Sequence, residues 1–177
     1  GHERVVAEGD VFPGGIKVFE LGPANVDGTG LSRKAFRVLA QAPVTVYQFN
    51  PLNNTEEAYS NDASLLLPVP SLDREYIAVT GDAIVVNDVY DSSISYNLGA
   101  FVAVVGVRDN TRVTITPTAP IRAGAQIPAG SAPVTRTIDR YEVLSVASVA
   151  SSAAAGDGNL SGTRVSADHP VAVFAGN

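Results

Sequence analysis

Residues 98 to 107 read LGAFVAVVGV, ten positions without a charge. A run this short, apolar and valine-rich reads as a strand buried on both faces. The next segment, TRVTITP at 111 to 117, alternates instead. Its period of two sends Val113 and Ile115 inward and Arg112, Thr114 and Thr116 outward. Asp109 and Asn110 stand between the two runs and tolerate the left-handed conformations of tight turns. Residues 98 to 116 therefore read as a β-hairpin. Further strands are expected at IKVFEL (16–21), KAFRVLA (34–40), ASLLLP (63–68), EYIAVT (75–80), AIVVNDV (83–89), RYEVLSV (140–146) and PVAVFAG (170–176). Prolines 43, 117, 120, 128, 133 and 170 fall at the borders of these runs, where a missing N–H costs least.

The expected fold is all-β: an antiparallel, sandwich-like domain with long loops and negligible helix. SVASVASSAAAGDGNLSG (145–162) is the exception to the alternation, and its serines and glycines favour a long loop with at most one helical turn. A chain of 177 residues with 45% hydrophobic side chains can bury one sizeable core. The opening Gly-His has the look of a tag remnant, which leaves residues 3 to 177 as a single β-rich domain.

Charge and composition exclude several functions. The net charge of −6 and the scatter of the twelve Lys and Arg residues argue against nucleic acid. No run is long and apolar enough for a membrane-spanning helix. Cysteine is absent, which removes disulfides, thiolate catalysis and Cys-ligated zinc.

One pattern occurs twice. RVLAQAPVTVYQFN (37–50) aligns without gaps on RVSADHPVAVFAGN (164–177), with seven identities in fourteen positions. An offset this long exceeds the periods of solenoids and propellers and suits a duplicated unit. It leads us to expect equivalent strands entered through Pro43 and Pro170, with Val44, Val46, Val171 and Val173 facing a core. It also suggests a longer duplicated protein that continues beyond Asn177.

VYQFNPLNNTEEAYSNDASLLLP, followed by GTRVSADHPVAVFAGN, resembles the N-terminal domain family of the IgGFc-binding protein, whose members include bacterial secreted and surface proteins. The motifs are Tyr47, Gln48, Phe49, Asn50 and Pro51, then Ser60 to Ser64 running into Leu65 to Pro68, then Gly162 to Asn177. The resemblance covers most of residues 31 to 177. It implies a secreted or cell-surface binding or adhesion module with an extracellular protein or glycan partner, and it does not imply IgG as the ligand. A structural alternative is a spacer or self-assembling subunit that associates through an edge strand.

The candidate ligand site is Tyr47, Gln48, Asn50, Ser60, Asn61 and Asp62, a polar cluster between apolar runs. Gln48 and Asn50 share a face on a regular strand. The competing reading is a turn and a buried amide network that satisfy the local backbone. Asp82, Asn87, Asp88 and Asp91 form an oxygen-rich set that calcium alone among metals would suit, and Asp157 with Asn159 forms a second. Neither follows the EF-hand spacing, and ordinary turn chemistry explains both. No other cofactor is expected. His169 beside Asp168 lacks any serine motif that would make a triad. Paired carboxylates for glycoside hydrolysis are not singled out, and tryptophan platforms are absent. The chain reads as a non-enzyme. Asn53-Asn54-Thr55 and Asn159-Leu160-Ser161 are sequons that matter only in a eukaryotic secretory pathway.

Overall fold

The computed structural model describes residues 3–50, 62–87, 95–149 and 156–177. Eleven strands lie in them: β1 (Gly30–Ser32), β2 (Tyr47–Asn50), β3 (Asp62–Leu65), β4 (Asp73–Ile77), β5 (Ile84–Asn87), β6 (Ser95–Leu98), β7 (Phe101–Gly106), β8 (Thr111–Thr116), β9 (Val134–Ile138), β10 (Val143–Ala147) and β11 (Arg164–Gly176). The only helical element among the described residues is a 3-10 turn at Val69–Ser71. The protein is all-β, as the sequence predicts.

β7 and β8 do not form a hairpin. β8 pairs with β11 at residues 164 to 167, and β7 pairs with it at residues 171 to 176. β4 pairs with β11 at residues 164 to 166 and again at Val171, and Val171 also pairs with Gly106. A strand has two edges, and β4 holds one of them. β7 and β8 therefore lie end to end along the other. β10 and β9 repeat the arrangement one strand further out, with Val143 opposite Val105 and Ile138 opposite Thr111. Three long strands thus run antiparallel, and each bends where its pairing is interrupted: at 107–110, at 139–142 and at 168–170. The sheet folds along that line into a sandwich-like pair of halves. One half holds β9, β8, the start of β11, and β4. The other holds β1, β10, β7 and the end of β11.

The core fills the space inside the fold. Val113, Ile115, Val134, Ile138 and Val165 come from the first half, and Val102, Val104, Leu144, Val146 and Val171 from the second. Val113 and Ile115 face inward as the alternation requires, and β7 is an interior strand. Backbone and side chains stitch the bend together. The N–H of Gly106 donates to the Glu142 carbonyl at 3.0 Å, and that of Tyr141 to the Gly106 carbonyl at 2.7 Å. Carboxylates take the next donors: Asp139 from Asn110 N–H at 3.2 Å, Asp109 from Arg140 N–H at 3.0 Å, and Asp168 from Arg112 N–H at 2.8 Å. A Cβ on Gly106 would collide with the Asp139 carbonyl, so the run LGAFVAVVGV has to carry glycine where the sheet turns. Asn110 is left-handed, with φ of 55°, as its place in the sequence suggests. It turns the chain around a bend instead of reversing it.

Other expectations change in detail. IKVFEL and KAFRVLA are strand-patterned but form no strand. Residues 145 to 147 of the expected loop belong to β10. The two related segments are not structural equivalents. Residues 164 to 176 are one thirteen-residue strand, whereas only Tyr47–Asn50 is a strand in the first segment. Val171 is fully buried and Val173 packs against the core, but Val44 is 49% exposed. Neither proline opens a strand: Pro43 lies in irregular chain, and Pro170 sits in the unpaired stretch of β11.

These differences make a direct comparison. Val165→Asp places an unpaired charge in the core and should cost several kcal/mol, on the order of a small domain's whole stability. Val38→Asp, at the aligned but exposed position, should stay within about 0.5 kcal/mol. Urea unfolding of both variants checks the contrast.

Candidate functional site

Val113 and Ile115 of β8, Val134 and Ile138 of β9, Val165 of β11 and Tyr76 of β4 face inward, so alternation turns the residues between them to the opposite face. Arg112, Thr114 and Thr116 project from β8, Thr135 from β9, Arg164 and Ser166 from β11, and Glu75 and Ile77 from β4. Thr114 and Thr135 are cross-strand partners whose hydroxyls lie 2.9 Å apart. On this face lies a shallow, open depression of about 260 Å³, lined by Glu75, Arg112, Thr114, Ser166, Ala167 and Asp168. A second, of about 210 Å³, shares Glu75 and adds Tyr76, Ile77 and Arg164. Two guanidinium-bearing and two carboxylate-bearing residues therefore surround a floor of hydroxyls. This arrangement offers hydrogen bonds and charge to a flat partner surface, and it encloses nothing.

The bend borders the depression through Asp168. The Arg112 backbone N–H holds its carboxyl below the usual range, against a smaller upward push from desolvation. His169 Nδ1 lies 3.0 Å from the same oxygen and favours the carboxylate further. Sequence reasoning missed this face. The signal was present in the outward residues of TRVTITP and RVSAD, but nothing in one dimension says that they share a sheet.

The structure treats the predicted ligand residues differently. Tyr47 to Asn50 pair with Asp62 to Leu65 in a separate two-stranded sheet, with Gln48 opposite Ser64 and Asn50 opposite Asp62. Two of the expected partners are thus adjacent across the pair, and Tyr47, Gln48 and Asp62 are exposed. Ser60 and Asn61 lie outside the described residues.

The two oxygen-rich sets are partly joined. Asn159 Nδ2 donates to Asp82 Oδ1 at 2.7 Å, and the Ser161 N–H donates to Asn159 Oδ1 at 2.7 Å. Thr80 Oγ1 lies 3.2 Å from Asn159 Oδ1 and accepts from the Leu160 N–H at 2.9 Å. Asn177 Nδ2 donates to the Asp82 carbonyl at 2.9 Å, which ties the tip of β11 to this loop. A Cβ on Gly81 would meet the end of the Asn177 side chain, so a substitution there would have to displace that amide. The Asn159 amide and then the Gly156 N–H lower the Asp82 carboxyl. Asn87 lies at the end of β5, while Asp88 and Asp91 lie outside the described residues. No group of three or more potential ligands drawn from His, Cys, Asp and Glu is present among the described residues.

Fold and face together define a folded antiparallel β-domain with an open polar surface. The family described as IgGFc binding protein matches residues 62–177, and the chain belongs to that family. The match runs from β3 to beyond β11 and leaves residues 31 to 61, with Tyr47 to Asn50, outside it. No curated protein and no solved structure matches the chain.

Asp82 and Asp168 set an acid limit. Their folded carboxyls are lowered, so their stabilisation is complete above the ordinary pKa of 3.8 and is lost as pH falls through the folded values. Melting temperature should stay level from pH 7 to about 4.5 and fall below about 4. A variant carrying both Asp82→Asn and Asp168→Asn should fall less steeply, and differential scanning calorimetry at stepped pH reads this. Calcium is a separate test. Asp82 already accepts the Asn159 amide, so millimolar calcium should move the melting temperature by less than about one degree.

Proposed function

We propose that this chain is a non-catalytic recognition module that acts outside the cell and binds a protein or glycan through the polar face of β4, β11 and β8. Membership of a family described as IgGFc binding protein carries the reading. The open depression around Glu75, Arg112, Ser166 and Asp168 supports it, because hydroxyls and charges of both signs on an open sheet face suit a surface more than an enclosed substrate. We read Glu75 and Asp168 as contact residues and not as an acid–base pair, and we assign no cofactor. No described helix is long and apolar enough to cross a membrane.

The test uses the chain immobilised against purified IgG Fc, a mucin-type glycoprotein and the same glycoprotein stripped of its glycans. Binding to one of them at micromolar affinity is expected, and Arg112→Glu should weaken it about tenfold, or roughly 1.4 kcal/mol. Equal binding by wild type and Arg112→Glu would remove this face from the proposal. Binding to none of the three at 100-fold higher concentration, on the order of 100 μM, would remove the choice of ligands.

A second reading, self-assembly through strand edges, is favoured by one observation: the outer edge of β4 has no strand partner among the described residues.

A further inference from the structure

The outer edge of β4 and the segment Ile16 to Leu21 have complementary deficits. Among the described residues β4 pairs with β11 alone, which leaves its outer edge without a described partner beside an exposed Ile77. Such an edge is a template for another strand. Ile16 to Leu21 are apolar at four of six positions, pair with no strand among the described residues, and Ile16 is 92% exposed. Exposure of this many adjacent large apolar side chains, Ile16, Val18, Phe19 and Leu21, marks an interaction segment.

Its own chain holds the segment away from β4. A turn closed by the Gly15 N–H on the Phe12 carbonyl folds residues 3 to 21 back on themselves. The Glu3 carboxylate accepts from Arg37 at 3.3 Å, and Arg37 donates to the Tyr141 hydroxyl at 2.9 Å. Thr29 and the β1 pairing fasten the following residues to β10. These ties lie on the β10 side of the sheet, with β7 and β11 intervening before β4.

We infer that Ile16–Leu21 of one copy adds as an antiparallel strand to the free edge of β4 in a second copy. The register is the one that pairs Glu20 with Arg74. Setting Glu20 opposite Arg74 sets Val18 opposite Tyr76 and Ile16 opposite Ala78, at the inner side of the sheet where Tyr76 and Ala78 meet the core. The outer side then pairs the Lys17 stem with Ile77 and sets Phe19 opposite Glu75. Glu20 and Arg74 are both exposed, and neither is in an ion pair among the described residues. The two contributing surfaces differ, so the contact is head-to-tail and leaves an arm and an edge open at the ends of each assembly. The inference rests on the self-assembly reading above and adds the segment, edge and register to it.

The experiment is sedimentation velocity of the whole chain from about 5 μM to 1 mM, with Glu20→Arg, Arg74→Glu and the double reversal. Melting temperatures confirm that the exposed substitutions leave the fold intact. Concentration-dependent oligomers are expected in the wild type, with each single reversal raising the dissociation constant at least fivefold and the double reversal recovering most of that loss. Oligomers indifferent to both single reversals would overturn the arm-to-edge register while leaving self-assembly standing. A monomer at every concentration would overturn both.

Discussion

Everything in this fold depends on satisfying the backbone where three strands bend together. A bend interrupts the ladder, and the N–H groups it releases turn to acceptors other than a strand partner. Asp109, Asp139 and Asp168 supply it by accepting from Arg140, Asn110 and Arg112. Once those donors are satisfied, the strands can continue on the other side, and their inward valines and isoleucines meet as one core. Without the bend the same strands would form a flat sheet with one apolar face in water.

The bend also explains how the ends meet. Folding brings the tip of β11 back to the loop beside Asp82, where Asn177 donates to a backbone carbonyl. Ala83 donates its N–H to the Asp157 carbonyl at 2.9 Å, and Gly158 comes so close that its Cβ would lie 2.9 Å from that of Ala83. Gly158 has φ of +64°, which a side chain would resist for a second reason. Two of the residues that look like calcium chemistry in the sequence, Asp82 and Asn159, join Asn177 in closing the open end of the sandwich.

Local alternation made most strands legible, because it depends only on which side chains can be buried. It identified β8 down to the face of each residue and found β7 as an interior strand. Pairing was not legible. The turn residues Asp109 and Asn110 are equally good at reversing a chain and at carrying it around a corner, and only the distant strand β11 decides between the two. β9 was missed because VTRTI stands between a proline-rich stretch and a charged turn, where five alternating residues give a weak signal. The polar face was hidden for the same reason as the pairing: Glu75, Arg112 and Ser166 are far apart in sequence and become neighbours only across three strands.

The repeated pattern shows how context overrides likeness. Val165 and Val171 are buried because β4 lies on one side of β11 and β8 or β7 on the other. Val38 and Val44 have the same chemistry but no such neighbours, and they remain exposed. A strand of valines has no fixed structure until its edges are paired, since its ladder bonds and its burial both come from other segments. IKVFEL illustrates the same rule with the opposite outcome. It is at least as apolar as β8 though less regular, and among the described residues it has no adjacent edge in its own chain. β4 has such an edge and lacks a strand. The two deficits have the same physical origin, unpaired backbone beside exposed apolar side chains, and one contact between copies relieves both.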